Sequence, residues 1–426
     1  MTSLERQKII YEALCKVYKD GAYSQIQLDE AISNNELTQE DKAYVTAYFY
    51  GVIEKDTALE YFISKLCSKR PKPAIVVLLK MGIYGARYSQ TPLYAVIDNA
   101  VTLCKEVKRE VSGFVNAVLR KCKDCPLPDK KDKALYLSVL ASVPVWLAKA
   151  MIVDYGEEKA TEILTARLLT DTHIRLNYDK ITNEEFEKRV TTFTKSKYGY
   201  YVKPEVFNKL KPDEFTPMSL ASMIATSCYK SLIKEGAKVL DTCSAPGGKS
   251  VYLSSLGSYS ITSCDIHPHR VELIKKYAKR MNAKLDEVVV NDATILKEEW
   301  QNTFDAVICD VPCSGIGVIS SKPDILLNRK EEDIAELAKL QLKILNVSAK
   351  YLKDDGVLFY STCTVLRREN DNVVKNFLSI NPDFEVVKIE VDGVTSDKRN
   401  YVRLLPNVDG TDGFFVVALK RKKQTT

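Results

Sequence analysis

Apolar residues recur at helical spacing from the start of the chain. Ile9, Ile10, Ala13, Leu14 and Val17 share one face, because residues three or four apart lie on the same side of a helix. Thr38-Gln39-Glu40-Asp41 reads as a cap for a helix over 43–53. Further helices are expected over 58–67, 74–88, 94–105 and 113–121, punctuated by Pro71, Pro73 and Pro92. Nothing up to about residue 125 alternates strongly enough for a strand, so a small all-helical domain is expected. Cys125-Pro126-Leu127-Pro128-Asp129 and the charges after it read as a linker. Residues 134–170 are helical again, with Trp146 packing inside. A mixed stretch follows: a strand over His173 to Asn177, a helix over 183–192 and a strand over 198–202. From about Thr216 the pattern becomes regular alternation. Strands are expected up to Asp241 and over 259–265, 287–292, 305–310, 356–363, 384–389 and 414–420. Helices are expected over 220–232, 270–281, 331–352 and 369–378. Such alternation predicts a largely parallel, doubly wound sheet. The basic last residues, 420–426, read as a frayed end.

The first strand of that alternation runs into a glycine turn, LDTCSAPGGKS, Leu240 to Ser250. A strand, a glycine-rich turn and a helix in that order make a seat for a nucleotide-like ligand. Gly247 and Gly248 remove side chains, so backbone N–H groups approach a ligand closely, and the helix start behind them favours a carboxylate. The pattern is neither GxGxxG nor GxxxxGK[ST]. A dinucleotide fingerprint and a phosphate-binding loop therefore both fit poorly, which argues against a nicotinamide dehydrogenase.

Acids end four apolar runs: Asp241, Asp265, Asp292 and Asp310. Ligands of open parallel sheets bind beyond the carboxyl ends of the strands. Asp265, about 20 residues past the turn, suits a ribose diol, and Asp292 is placed for an adenine amino group. Cationic S-adenosylmethionine suits such an edge better than a pyrophosphate does. Arg270, five residues past Asp265, can reach the same ligand. Two cysteine motifs follow. DVPCSGIG puts Cys313 just past Asp310, and YSTCTVLRREN puts Cys363 at the end of the next strand. Adjacent parallel strands lie ~4.8 Å apart, so both thiols can reach one pocket. Spacing leaves open which of them is a nucleophile. Cys309, beside Asp310, reads as a core residue of the strand.

Composition bounds the picture. A chain of 426 residues, at roughly 150 residues per domain, suggests two or three domains. The net charge of +6 is mildly basic and concentrated early, with clusters at Lys69-Arg70, Lys105 to Arg109 and Arg120 to Lys133; this is compatible with nucleic acid. No run of ~18 apolar residues predicts a membrane span. The charged start reads as an amphipathic helix and not a signal peptide, and 11 cysteines without one suggest reduced thiols in a cytoplasm. Cys122 and Cys125 form one CxxC without a second pair, and there are 3 histidines, so no metal site is expected.

TPLYAVIDNAVTLCKEV followed by SGFVNAVLRKC resembles the later helices of NusB-like RNA-binding domains. DTCSAPGGKS, DVPCSGIG and YSTCTVLRREN are similar to the motifs of the RsmB/Sun family of RNA (cytosine-C5)-methyltransferases. SKPDILLNRKEEDIAELAKLQLKIL and LLPNVDGTDGFFVVAL resemble that family's segment after its first cysteine motif and its carboxyl-terminal strand. The resemblance covers nearly the whole chain. It implies three parts: a NusB-like helical domain over 1–128, a small α+β connecting subdomain over 129–215 and a Rossmann-like catalytic domain over 216–426. It implies S-adenosyl-L-methionine as cofactor, small-subunit (16S) ribosomal RNA as partner, and a cytoplasmic monomer needing neither membrane nor metal. It places Cys243, Ser244, Ala245, Pro246, Gly247, Gly248, Lys249, Asp265, Asp292 and Asp310 at the cofactor or target base. It assigns Cys363 as nucleophile and Cys313 as the helper in product release. Pro217, Met218 and Ser222 depart from the family's usual polar residues before the first strand, and Ile174 replaces a frequent aromatic.

The chemistry the resemblance implies explains why two thiols are needed. Carbon 5 of cytosine is a poor nucleophile. A thiolate adding to carbon 6 makes an enamine-like adduct whose carbon 5 can attack an activated methyl group. The carbon-5 proton is then lost and the thiol eliminated. Asp310 can assist at the N3 edge, and Lys249 or the cationic cofactor can stabilise the thiolate. Two other readings are a transfer-RNA methyltransferase of this class and a catalytically silent RNA-binding assembly or antitermination factor. The presence of both cysteines, the glycine turn and all four acids argues against the silent one.

Overall fold

A computed structural model describes residues 1–169 and 171–423 of the chain, and divides it into two compact units. The first comprises Met1–Thr165 together with Lys322–Asn328. Its helices run Ser3–Asp20, Ser24–Ser33, Gln39–Glu54, Asp56–Leu66, Pro73–Tyr88, Leu93–Lys108 and Ser112–Cys122, then Lys133–Ala141, Val145–Tyr155 and Glu157–Thr165. The first starts on a capping box, Thr2 with Glu5, which satisfies backbone donors that a helix start leaves free. Thr38 caps the third by accepting from the Asp41 N–H at 3.1 Å, as its sequence suggests. Leu14, Val45, Phe49, Val52, Leu59, Phe62, Leu79, Ile83 and Leu119 close a common core. A Cβ at Gly82 would meet the Leu119 side chain at 2.6 Å, so glycine there lets two helices approach.

The proline-rich stretch at 125–128 does not end this unit. Val139 joins the same core, and the Ser142 hydroxyl accepts from the Ala58 N–H at 3.2 Å. Residues 129–165, which the sequence groups with a connecting segment, therefore pack with the helices.

The second unit spans Ala166–Ser321 and Arg329–Thr426. It opens with a small antiparallel sheet of β1 (Thr172–Leu176), β2 (Thr194–Lys195), β3 (Tyr200–Val202) and β4 (Phe215–Pro217), in the order β2-β3-β1-β4. Ile174, Leu176, Phe186, Tyr200 and Val202 fill its core. The main sheet follows: β5 (Lys238–Asp241), β6 (Ser260–Asp265), β7 (Glu287–Val290), β8 (Phe304–Asp310), β9 (Leu352–Thr362), β10 (Phe384–Val387), β11 (Val402–Leu404) and β12 (Phe414–Arg421). Its order is β10-β12-β9-β8-β5-β6-β7, with β11 on β12.

β7, β6, β5, β8 and β9 are parallel. β12 runs antiparallel to β9, β10 and β11. Both faces are buried, which parallel strands between helices require. Leu240, Val307, Leu358 and Tyr360 point into one core; Val239, Ala306, Ile308 and Phe359 point into the other. The expected helix over 331–352 stops at Ala349, because Leu352 already pairs with Phe304 in β9. The expected frayed end starts later than its charges suggest: Lys420 and Arg421 belong to β12, while residues 424–426 and residue 170 lie outside the described residues.

Candidate active site

β8 and β9 are neighbours, with Asp310 level with Ser361. The loops leaving them bring the two thiols together, Cys313 Sγ lying 3.1 Å from Cys363 Sγ. Lys249, from the helix after the glycine turn, reaches the same edge. Its Nζ is 2.7 Å from Asp310 Oδ2 and lies over the Phe414 ring, 5.1 Å from its centroid. Asp310 is steadied by the Ser361 hydroxyl at 2.9 Å, which in turn meets the Tyr229 hydroxyl at 2.6 Å.

The charges order the two sulfurs. A hydrogen bond from Cys313, helped by the Lys249 ammonium, holds the Cys363 thiol below its ordinary value against burial and the Asp310 charge. The same hydrogen bond, with burial and the neighbouring thiolate, pushes Cys313 well above it. Of the two sulfurs, Cys363 therefore gives up its proton the more readily and Cys313 holds its proton the more tightly. Burial lowers the affinity of Lys249 for its proton, but the Asp310 carboxylate outweighs it and keeps Lys249 charged.

Behind the thiols lies a polar buckle that sequence reasoning missed. Glu369, fully buried, accepts from the Ser314 N–H at 2.8 Å, the Ser314 hydroxyl at 2.5 Å and the Gln341 amide at 3.0 Å. Gln341 also donates to the Pro312 carbonyl. Asn370 accepts from the Thr362 hydroxyl and donates to the Thr364 carbonyl. Glu369 and Asn370 lie inside the motif that carries Cys363, which was their one signal. Gln341, flanked by leucines on a long helix, had none.

The ligand edge is built from β5, β6 and β7. Gly247, at φ +99°, starts the helix Gly248–Ser254 after a cis Ala245–Pro246 bond. The Gly247 N–H donates to the Ser244 carbonyl at 2.7 Å. No atom approaches within 4 Å of where a Gly248 Cβ would stand, so that face of the turn is open. Asp265 accepts from the His267 N–H at 3.0 Å and pairs with Arg270 at 3.2 Å. Arg270 also donates to the Ala245 carbonyl at 3.0 Å, tying the turn to the acid. Asp292 accepts from the Thr294 N–H at 2.8 Å. Beside it, the Asn291 amide nitrogen is buried and has no hydrogen-bond partner; sequence reading passed over this residue.

Two sequence expectations need correcting. Asp241 is not at the edge with the other acids. It is level with Ser263 in β6 and Ile308 in β8, two residues short of Asp265 and Asp310. It is therefore enclosed, accepts from the Ser250 hydroxyl at 2.5 Å and anchors the glycine turn from below. Burial raises its carboxyl to about 6. The Cys243 thiol packs against the core, and burial pushes it well above its ordinary value, which leaves its peptide groups as what it can offer a ligand. Cys309 is a fully buried strand residue, as expected.

The helical unit carries a separate feature, an open groove of 540 Å³ lined by Tyr61, Lys65, Leu66, Arg120, Lys121 and Asp124 among others. Lys65 Nζ lies 5.6 Å from the Tyr61 ring centroid. Cations beside a half-buried aromatic ring suit a nucleic-acid strand. No group of three or more His, Cys, Asp or Glu among the described residues is arranged to hold a metal ion, and no single helix among them is long and apolar enough to cross a membrane.

The sheet order, with a glycine turn after its first strand and acids at the next strand ends, defines the class as a Rossmann-like methyltransferase. Residues 232–420 match the 16S rRNA methyltransferase RsmB/F family and residues 4–124 the NusB family. The chain is 32% identical over 440 residues to the probable ribosomal RNA small subunit methyltransferase B of Bacillus subtilis (strain 168), covering 97% of this chain and 98% of that protein. It is 29% identical to ribosomal RNA small subunit methyltransferase B of Cronobacter sakazakii (strain ATCC BAA-894), covering 91% and 92%. Two solved structures share the fold. The crystal structure of PH0851 has a TM-score of 0.81 at 22% identity over 99% of both chains. NSun6 from Pyrococcus horikoshii with SFG has a TM-score of 0.58 at 20% identity, covering 67% of this chain and 100% of that one. The chain belongs to the RsmB/F family, with a NusB-like helical domain in front.

Its cofactor is S-adenosyl-L-methionine, and the residues fit it. The open Gly248 face, the Asp265 and Asp292 carboxylates and the unpartnered Asn291 amide offer the acceptors and donor that a cationic nucleoside needs.

Proposed function

We propose that this protein methylates carbon 5 of a cytosine in 16S ribosomal RNA, with Cys363 as nucleophile and Cys313 as the residue that releases the product. The observation that carries this reading is the 3.1 Å thiol pair, beside which the Lys249 ammonium helps to lower the proton affinity of the Cys363 sulfur. The glycine turn with Asp265, Asn291 and Asp292 would hold S-adenosyl-L-methionine, which would supply an electrophilic methyl carbon. Cys363 adds as thiolate to carbon 6 of the cytosine, which makes carbon 5 nucleophilic. The Lys249–Asp310 pair meets the N3 edge and supports the negative charge that addition pushes there. Once carbon 5 has its methyl group and has passed its proton to a water molecule, the bond from carbon 6 to the Cys363 sulfur breaks and Cys363 leaves as a thiolate. Cys313, the protonated partner, returns a hydrogen bond to the departing sulfur. Glu369 holds Ser314 and so fixes where Cys313 stands.

The domain division expected from the sequence gives the helical front the task of docking the RNA, and its Tyr61-Lys65-Arg120-Lys121 groove supports that role. The same reading makes the protein a cytoplasmic monomer. Mapping 5-methylcytosine in ribosomal RNA with and without the gene tests the proposal. One cytosine of 16S RNA should lose its methyl group; loss from transfer RNA alone, or from neither, would sink it.

A further inference from the structure

We propose that Cys313 and Cys363 are also an oxidation site, a dithiol that hydrogen peroxide closes into a reversible disulfide. Their sulfurs are 3.1 Å apart, and a disulfide needs ~2.05 Å, so closure takes a movement of about one ångström. Both residues stand in loops just past the ends of β8 and β9, outside the ladder, where such a movement breaks no strand pairing. The residues after them are already joined, since the Ser314 and Thr364 hydroxyls share a hydrogen bond of 3.0 Å. Both cysteines are partly open to solvent, which gives peroxide a path.

Three buried sulfurs elsewhere in the chain show the contrast with Cys363. Thiolates, not thiols, attack peroxide. Lys249 and the Cys313 hydrogen bond favour the thiolate at Cys363. Burial pushes Cys122 up to about 11, and its thiol donates to the Leu119 carbonyl at 3.1 Å. Cys228 and Cys309 are buried and pushed up to about 12. These sulfurs stay protonated while Cys363 reacts.

The steps balance. The Cys363 thiolate attacks one peroxide oxygen and the O–O bond breaks, giving a sulfenic acid at Cys363 and hydroxide, which takes up a proton as water. The Cys313 sulfur then attacks the Cys363 sulfur, the S–O bond breaks, and a second water leaves with the Cys313 proton. Two thiols are oxidised by two electrons in all, and one peroxide is reduced. The bound form has no thiolate to add to a base; that consequence rests on the role proposed for Cys363, whereas the chemistry of the bond does not. A thiol reductant restores both sulfurs by exchange.

The test uses the full chain. Purified protein is treated with hydrogen peroxide, remaining thiols are blocked, and peptides are mapped by mass spectrometry without reductant. The expected product is a Cys313–Cys363 linked pair, with the protein lighter by two hydrogens. Methylation of ribosomal RNA should be lost and should return with dithiothreitol. In Cys313→Ser the same treatment should add oxygen to Cys363, with no recovery from the doubly oxidised form. Linkage of other cysteines, or oxygen addition at Cys363 while Cys313 is present, overturns the proposal. A linked pair in protein that still methylates RNA would leave the oxidation site standing and remove Cys363 as nucleophile.

Discussion

Ser314 and Thr364, the residues that follow the two thiols, are joined by a hydroxyl hydrogen bond of 3.0 Å. The Glu369 carboxylate grips the Ser314 end through both its N–H and its hydroxyl. The spacing of the sulfurs is thus set by their neighbours. Glu369→Ala leaves the Ser314 N–H buried without an acceptor, and takes one partner each from the Ser314 hydroxyl and the Gln341 amide, which keep Thr364 and the Pro312 carbonyl. It should cost on the order of 3 kcal/mol of stability, since each unmet buried donor costs about 1–3 kcal/mol. Glu369→Gln keeps one carbonyl acceptor and should recover most of it. Urea denaturation checks both, and equal midpoints for Glu369→Ala and the parent protein would remove the buckle.

The two thiols should fail differently. Cys363→Ala should neither attach to RNA nor turn over. Cys313→Ala should attach, transfer the methyl group and stall, leaving a slow-migrating protein–RNA band on a denaturing gel. The opposite pattern would exchange the two roles, and full activity in both would exclude covalent catalysis by either.

Because Cys363 reacts as thiolate, single-turnover rate should rise with pH and level off below the ordinary thiol range of about 8.5. Lys249 is the cation that helps hold its proton affinity down. Lys249→Met should therefore shift the midpoint of the profile upward. A midpoint that stays in place would show that Lys249 does not act on the sulfur.

Asp241 gives a pH signature in stability. Its folded carboxyl is raised to about 6 from 3.8, so folding takes up a proton between these values and stability falls as pH rises through them. Above the folded value the cost is about 3 kcal/mol. Asp241→Asn keeps an acceptor for Ser250 and does not titrate. It should melt higher than the parent protein at pH 7 and lose that advantage below about pH 4. A constant difference across the range would contradict the enclosed, raised carboxyl.

If the front groove takes RNA, Lys65→Glu, Arg120→Glu and Lys121→Glu together should weaken binding to 16S ribosomal RNA and flatten its salt dependence, by about one unit of slope per lost phosphate contact. Affinity for S-adenosyl-L-methionine should not change. Calorimetry with the cofactor and filter binding with RNA separate the two.

Much of this site is legible along the chain because of where strands end. Asp265, Asp310 and Cys363 follow apolar runs, and right-handed crossovers lead successive parallel strands to one edge, so their convergence can be read from order alone. Depth within the sheet is not readable in that way. Asp241 and Asp310 look alike in sequence, yet a two-residue difference in strand register buries one beneath the turn and leaves the other facing Lys249. Nor does polarity announce burial: Glu369 and Gln341 look like solvated surface and become internal because they satisfy one another. The place of β12 is likewise invisible to periodicity, which gives a strand its faces but not its neighbours.

That place ties the last strand to the reactive edge. β12 lies between β9 and β10 in the sheet although it follows both in the chain. β10 has no edge to join until the later strand arrives, and pairings between distant segments are slow to close. The same late segment supplies Phe414 beneath Lys249 and the Gly413 N–H that binds the Gly317 carbonyl at 2.8 Å. A chain still emerging from synthesis can thus fold its helices and its first five parallel strands while the reactive loops lack their backing. The last strand of the sheet thus backs the loops that carry the chemistry.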